Sequence, residues 1–218
     1  MQDYEALRRT MVDTQVRPND VTEYPIIDAF LRLPRERFVP AGLEPAAYLG
    51  ENLPLGGGRV MLEPRTLAKM LDALDVRPDE LALVVGAGTG YAAAAMSLLA
   101  AAVVAVEEDA SMAAEARTAL AEVGADTVML EEGPLLEGVP SQGPYDAILI
   151  EGGVETVPGA LLSQLKEDGG RIAALFVEGE FGEVRIGHAR PGGIDWRSAF
   201  NAGAPILPSF RRPAVFAL

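Results

Sequence analysis

The chain has 218 residues, 49% of them hydrophobic, which is enough for one α/β domain with a sizeable core and too apolar for disorder. A formal net charge of −14 repels phosphate backbones, so nucleic acid is not an expected partner, and the acidity reads first as solubility. Without cysteine and with a single histidine, His188, the chain has no disulfides, thiolate metal sites or cysteine nucleophiles, and no multi-histidine metal centre is expected.

The amino-terminal run MQDYEALRRTMVDTQV mixes charges and lacks an apolar core, so no signal peptide is expected and a cytoplasmic location follows. Asp3–Val16 reads as a helix that stops before Arg17-Pro18. Ile26, Ile27, Phe30, Leu31 and Leu33 form a second helical face, which Pro34 ends. The segment PRERFVP (34–40) is expected as a compact turn with Phe38 and Val39 buried and its charges solvated. Gly56-Gly57-Gly58 reads as a flexible loop that approaches a neighbour closely. Glu63-Pro64 opens a helix whose stripe is Leu67, Met70, Leu71 and Leu74.

Leu81–Val106 is the organising stretch. Leu81–Val85 suits a buried parallel strand, and Gly86, Gly88 and Gly90 allow a sharp turn near a ligand. Tyr91–Leu99 is expected to be helical, and Val103–Val106 is a second strand with Glu107 at its carboxyl end. Ligands of open α/β sheets bind beyond such strand ends, where a carboxylate can accept two hydrogen bonds from ribose hydroxyls. Three other readings compete. The run is uncharged, long enough to span a bilayer and carries a GxxxG, but its flanks are acidic and it has neither a basic cluster nor an aromatic belt. A nicotinamide fingerprint would be GxGxxG, whereas the third glycine here comes one residue early. A tight βα turn without any ligand is the plainest alternative.

Beyond Glu107, Ser111–Val123 is a helix capped by Ser111 or Asp109 and ended by Gly124. Thr127–Leu130 and Tyr145–Ile150 are the next strands, Pro158–Leu165 a helix, and Arg171–Val177 a fifth strand. Glu107, Glu132 and Glu151 thus stand at three strand ends, which favours a cationic or hydroxyl-rich ligand. Glu183–Ala189 alternates like a strand, Asp195–Phe200 is expected as a short helix, and Ala214–Leu218 as a last strand. The expected fold is therefore α/β and Rossmann-like. It has a mostly parallel, doubly wound seven-stranded sheet, an antiparallel closing pair and a helical lead-in. One domain is expected: a cap (1–75), a core (76–178) and a closing hairpin with tail (179–218).

In this order, PRERFVP with Tyr48, LPLGGG, VVGAGTGY, VEED, PYDAILI and VPGALLSQLKEDGGRI resemble the protein-L-isoaspartate O-methyltransferase family of class I methyltransferases. The resemblance covers nearly the whole chain. It implies S-adenosylmethionine as cofactor, S-adenosylhomocysteine as product, and a protein or peptide carboxylate as methyl acceptor. It places Gly86, Ala87, Gly88 and Gly90 at the methionine end of the cofactor, Glu107 at the ribose, and Glu132 and Gly133 beside the adenine. Membrane, nucleic acid and metal are not expected.

Two departures matter. The family loop G-x-G-Q-T-I-S reads GGGRVML here, so Val60 and Leu62 replace two hydroxyl residues and Arg59 replaces a glutamine. The acid that usually stands two residues before the first glycine is Val84, with Glu63 or Glu151 as possible substitutes. Arg59 is then either a surface arginine or a contact to a substrate carboxylate. Tyr48 and Tyr91 either line the pocket or pack in the core, and His188 is expected to be non-catalytic. Three functions follow: a protein carboxyl methyltransferase, a binding module that has lost isoaspartate repair, or a methyltransferase with another acceptor. The loop separates the first from the others.

Overall fold

The computed structural model describes residues 3–212, so the strand expected at Ala214–Leu218 lies outside the described residues. Seven strands form one sheet in the order β5-β4-β3-β6-β7-β8-β9. These are β3 (Leu81–Val85), β4 (Ala102–Glu107), β5 (Val128–Glu132), β6 (Ala147–Val154), β7 (Arg171–Glu178), β8 (Phe181–Arg190) and β9 (Gly193–Asn201). The first five are parallel, while β8 and β9 each pair antiparallel with the preceding strand. A separate hairpin joins β1 (Leu53–Gly56) to β2 (Arg59–Met61) and shares no ladder with the large sheet.

Alternation along the strands sends side chains to two cores, as a sheet covered on both faces requires. Ala82, Val84, Val103, Ala105, Leu149 and Leu175 face the first. That core is closed by α2 (Tyr24–Arg32), α3 (Pro64–Leu74), α4 (Tyr91–Ser97), part of α5 (Ala110–Glu122) and the hairpin. Leu83, Val85, Val104, Ile148 and Ile172 face the second, which Tyr145, Leu161, Leu207 and Phe210 cover. Asp109 caps α5 by accepting from the Ser111 and Met112 amides, which decides between the two expected caps.

Several elements differ from expectation. Regular helix α1 covers only Tyr4–Met11; a π-helical turn (Val12–Val16) and a 3-10 turn (Arg17–Asn19) carry the chain past Pro18. Gly56-Gly57-Gly58 is the end of a strand and a hairpin turn, with positive φ at Gly57 and Gly58 as a two-residue hairpin turn demands. The helix expected at 158–165 shrinks to α6 (Gly159–Leu162), because Gln164 and Lys166 bond to the Tyr145 backbone instead. Asp195–Phe200 is not a helix. The Pro191–Gly193 turn brings it beside the free edge of β8, where Trp196 packs edge-on against Phe176 at 5.0 Å. β9 therefore fills the seventh place in the sheet.

PRERFVP forms a 3-10 turn, but its charges are not all solvated: Arg35 is fully buried. Its Nε donates to the Ala47 carbonyl at 2.7 Å and its Nη2 to the Leu62 carbonyl at 2.6 Å. The guanidinium lies over the Tyr91 ring, 4.7 Å from its centroid. One buried cation thereby ties the lead-in to the end of the hairpin and to the first turn of α4. Replacing it removes two charge-assisted bonds and orphans two buried carbonyls. Arg35→Ala is expected to lower unfolding stability by roughly 3–5 kcal/mol in urea titration.

Candidate active site

Strand register builds the site. Val85 is paired with Val106 on one side and with Ile150 on the other. The next residue on each strand is therefore Gly86, flanked by Glu107 and Glu151. Glu132 is level with Glu107 on the far side of β4. The three acids expected at one sheet edge do share it, and three different environments receive them.

Glu107 is fully buried. Its Oε1 accepts from Arg59 Nη1 at 2.8 Å and from the Glu108 and Asp109 amides at 2.9 and 3.0 Å. Its Oε2 accepts from Arg59 Nη2 at 2.9 Å and from the Gly88 amide at 2.7 Å. A carboxylate has about four lone-pair sites, so this one has no acceptor capacity left. Arg59, only 5% exposed, is not a surface residue, and the carboxylate it holds is Glu107 of the chain itself. Its Nη2 also donates to the Gly86 carbonyl at 2.8 Å. This fork-on-fork pairing is the strongest geometry available to the two side chains.

The glycine turn is covered by the chain itself. Gly88 has φ +54°, which favours glycine, and a Cβ there would lie 2.8 Å from Leu55 Cδ1 and push that side chain aside. Arg59 Nη2 and Leu207 Cδ1 stand at 3.1 and 3.4 Å from the corresponding point on Gly86. Leu207 is held there because residues 205–207 pair with the end of β6: Gly153 donates to Pro205 and Leu207 donates to Gly153, each at 2.9 Å. β6 itself runs through Glu151 to Val154 rather than ending at Ile150, because after an irregularity Gly153 and Val154 pair again with Leu175 and Phe176 of β7.

The remaining expected residues separate. Ala87 and Gly90 lie in the buried turn, and the Gly133 amide donates to the Glu107 carbonyl at 3.0 Å. Glu132 is exposed and lies 3.8 Å from Arg117. Leu62 is fully buried in the first core and Val60 packs against it, so both former hydroxyl positions are packing positions. Tyr91 is core, edge-on to Phe30 and Phe38, while Tyr48 donates to Glu36 beneath the lead-in helices. Val84 is buried on the core side of β3. Glu63 accepts from the Thr66 hydroxyl at the start of α3, and His188 lies on β8, paired with Arg171 of β7 and away from the turn.

Glu151 is the residue that sequence reasoning undervalued. It is 3% exposed and its Oε2 has no protein partner. Burial pushes its carboxyl up to about 8 and Glu107 adds to the rise, while Arg59 and Arg35 oppose it. Of the three strand-end acids, one is paired, one is protonated at neutral pH and one is solvated. Arg35 was equally hidden, because nothing local in PRERFVP distinguishes a buried arginine from a solvated one.

In this structure the lone pairs of Glu107 are taken, and Leu55, Arg59 and Leu207 lie against the glycine turn. Among the described residues no group of three or more acids or histidines is placed to hold a metal ion, and no helix is long and apolar enough to cross a membrane.

Comparison with known proteins places this geometry. The family model for protein-L-isoaspartate(D-aspartate) O-methyltransferase matches residues 8–180. The protein-L-isoaspartate O-methyltransferase 2 of Anaeromyxobacter sp. (strain Fw109-5) is 38% identical over 182 residues, 84% of this chain and 74% of that protein. The protein of the same name from Pelobacter propionicus is 33% identical over 208 residues, 95% of this chain and 92% of that one. A putative protein-L-isoaspartate O-methyltransferase from Plasmodium falciparum, solved in complex with S-adenosyl-L-homocysteine, superimposes with a TM-score of 0.78 over 96% of this chain and all of that one. At 15% identity, this last likeness speaks for the fold alone.

The buried Glu151 carboxyl carries a pH signature. The unfolded chain releases this proton from about pH 4.5, whereas the folded chain keeps it to about pH 8. Stability contributed by this group is therefore full below pH 4.5 and declines as pH rises toward 8. Glu151→Gln is expected to flatten that decline and to stabilise the protein at pH 8 by about 1–3 kcal/mol. Thermal melts of both proteins between pH 5 and 8.5 measure it.

Proposed function

We propose, from the premise that this chain belongs to the protein-L-isoaspartate(D-aspartate) O-methyltransferase family, that it is an S-adenosylmethionine-dependent methyltransferase acting on carboxylates of proteins or peptides. The observation that carries the reading is the glycine turn with Glu107 beside it at adjoining strand ends, in a chain matched by the family model from residue 8 to residue 180. The cofactor supplies a methyl group on a sulfonium. In the state that admits it, Gly86, Ala87, Gly88 and Gly90 are assigned to its methionine end, Glu107 to the ribose, and Glu132 with Gly133 to the adenine.

The acceptor chemistry asks little of the protein. A peptide carboxylate is ionised near pH 7 and needs no general base. The reaction neutralises opposite charges, so a dry site that fixes the two reactants does most of what is required. The apolar lid of Leu55 and Leu207 and the absence of a titrating histidine near the turn agree with that demand.

A second reading is a relative that has lost isoaspartate repair and binds or methylates something else. It is favoured by Val60 and Leu62, where the family has hydroxyl residues. Because Leu62 is wholly buried, putting a hydroxyl back does not rebuild a substrate contact. Val60→Thr/Leu62→Ser is expected to destabilise the fold by about 2–5 kcal/mol without raising methylation.

The deciding assay incubates the purified protein with methyl-labelled S-adenosylmethionine and an isoaspartyl peptide, next to its aspartyl counterpart. Base-labile label on the isoaspartyl peptide is expected. No label on either peptide, from protein shown to bind S-adenosylhomocysteine, would hand the case to the second reading.

A further inference from the structure

We infer that Arg59 is an internal latch: it occupies, on Glu107, the place of a ligand's vicinal diol, so that a nucleoside enters only when the β1–β2 hairpin lifts. This rests on the cofactor assignment above and goes beyond it. The chemistry of the two occupants is alike. A ribose offers one carboxylate two neighbouring O–H donors; the Arg59 guanidinium offers it two parallel N–H donors at 2.8 and 2.9 Å. Both cannot be seated, since backbone amides of Gly88, Glu108 and Asp109 take the remaining lone pairs.

The hairpin brings more than a charge. The same element that carries Arg59 also carries Leu55, which rests on Gly88. Leu207 seals the other side against Gly86 and Gly152. The latch is thus a guanidinium with an apolar wedge on each flank, and it closes the space over the glycine turn.

Two features make it movable. The β1–β2 pair is a two-stranded sheet of its own, so lifting it breaks no ladder hydrogen bond of the seven-stranded sheet. The closed arrangement also leaves buried polar atoms unmatched at the ion pair: Arg59 Nε and Glu151 Oε2 have no partner. Those atoms gain partners from water or ligand once the hairpin opens, which offsets part of the loss of the Arg59–Glu107 pair. Closure therefore taxes the ligand's apparent affinity by the fraction of molecules that are open.

Calorimetric titration with S-adenosylhomocysteine tests the latch directly. Arg59→Gln is expected to bind roughly tenfold or more tightly than the unmodified protein. Adding Glu107→Gln is expected to abolish that gain. Equal or weaker binding by Arg59→Gln would overturn the latch while leaving the cofactor assignment intact. If neither protein binds, the latch and the assignment fall together. Should the variant not fold, hydrogen exchange on the unmodified protein decides: saturating S-adenosylhomocysteine is expected to speed exchange at the Leu53–Met61 amides, and unchanged or slower exchange there would overturn the proposal.

Discussion

The buried ion pair between Arg59 and Glu107 is the constraint around which the upper edge of the sheet is arranged. A carboxylate fully withdrawn from water is tolerated only if its charge is met and its lone pairs are filled. Here one guanidinium and three backbone amides do both. The amides come from the glycine turn and from the entrance to α5, so the carboxylate also holds these two loops in register. Removing either charged partner would leave the other buried and alone. The β1–β2 hairpin is therefore coupled to the centre of the sheet by charge rather than by a strand ladder.

Excess acid is usually handled by keeping it wet, and most of this chain does so. At the carboxyl ends of β4, β5 and β6 three solutions stand side by side. Glu107 is neutralised by a cation, Glu151 by its own proton, and Glu132 by water with Arg117 near. Only Glu132, on the edge strand, is exposed; Glu107 and Glu151 are both buried and differ in whether a cation reaches them.

For methyl transfer the same features pull in opposite directions. A site lined by Leu55 and Leu207 excludes water, which favours a reaction that consumes charge. Yet the residues that dry the site also fill it. A hairpin outside the main sheet reconciles the two, since it can lift without breaking a ladder bond of that sheet. Family membership describes the chemistry; the GGGRVML segment supplies the arginine that occupies Glu107 in this chain.

Much of this was legible in the residues alone. The strands around Leu81–Val106, the glycine turn and the position of Glu107 follow from periodicities of two and 3.6 and from the conformations open to glycine and proline, all of which are local. Asp195–Phe200 was misread because its composition suits a short helix, and only the free edge of β8 made it a strand. Arg35 and Arg59 were beyond local reasoning for one reason: the same side chain is solvated or buried according to what the fold lays over it. Arg59 meets a carboxylate 48 residues away because a two-residue turn, a separate hairpin and the register of β3 with β4 bring them together. The chain's order of residues pointed to the glycine turn and the acids at the strand ends; tertiary packing alone decided that Arg59 sits on Glu107.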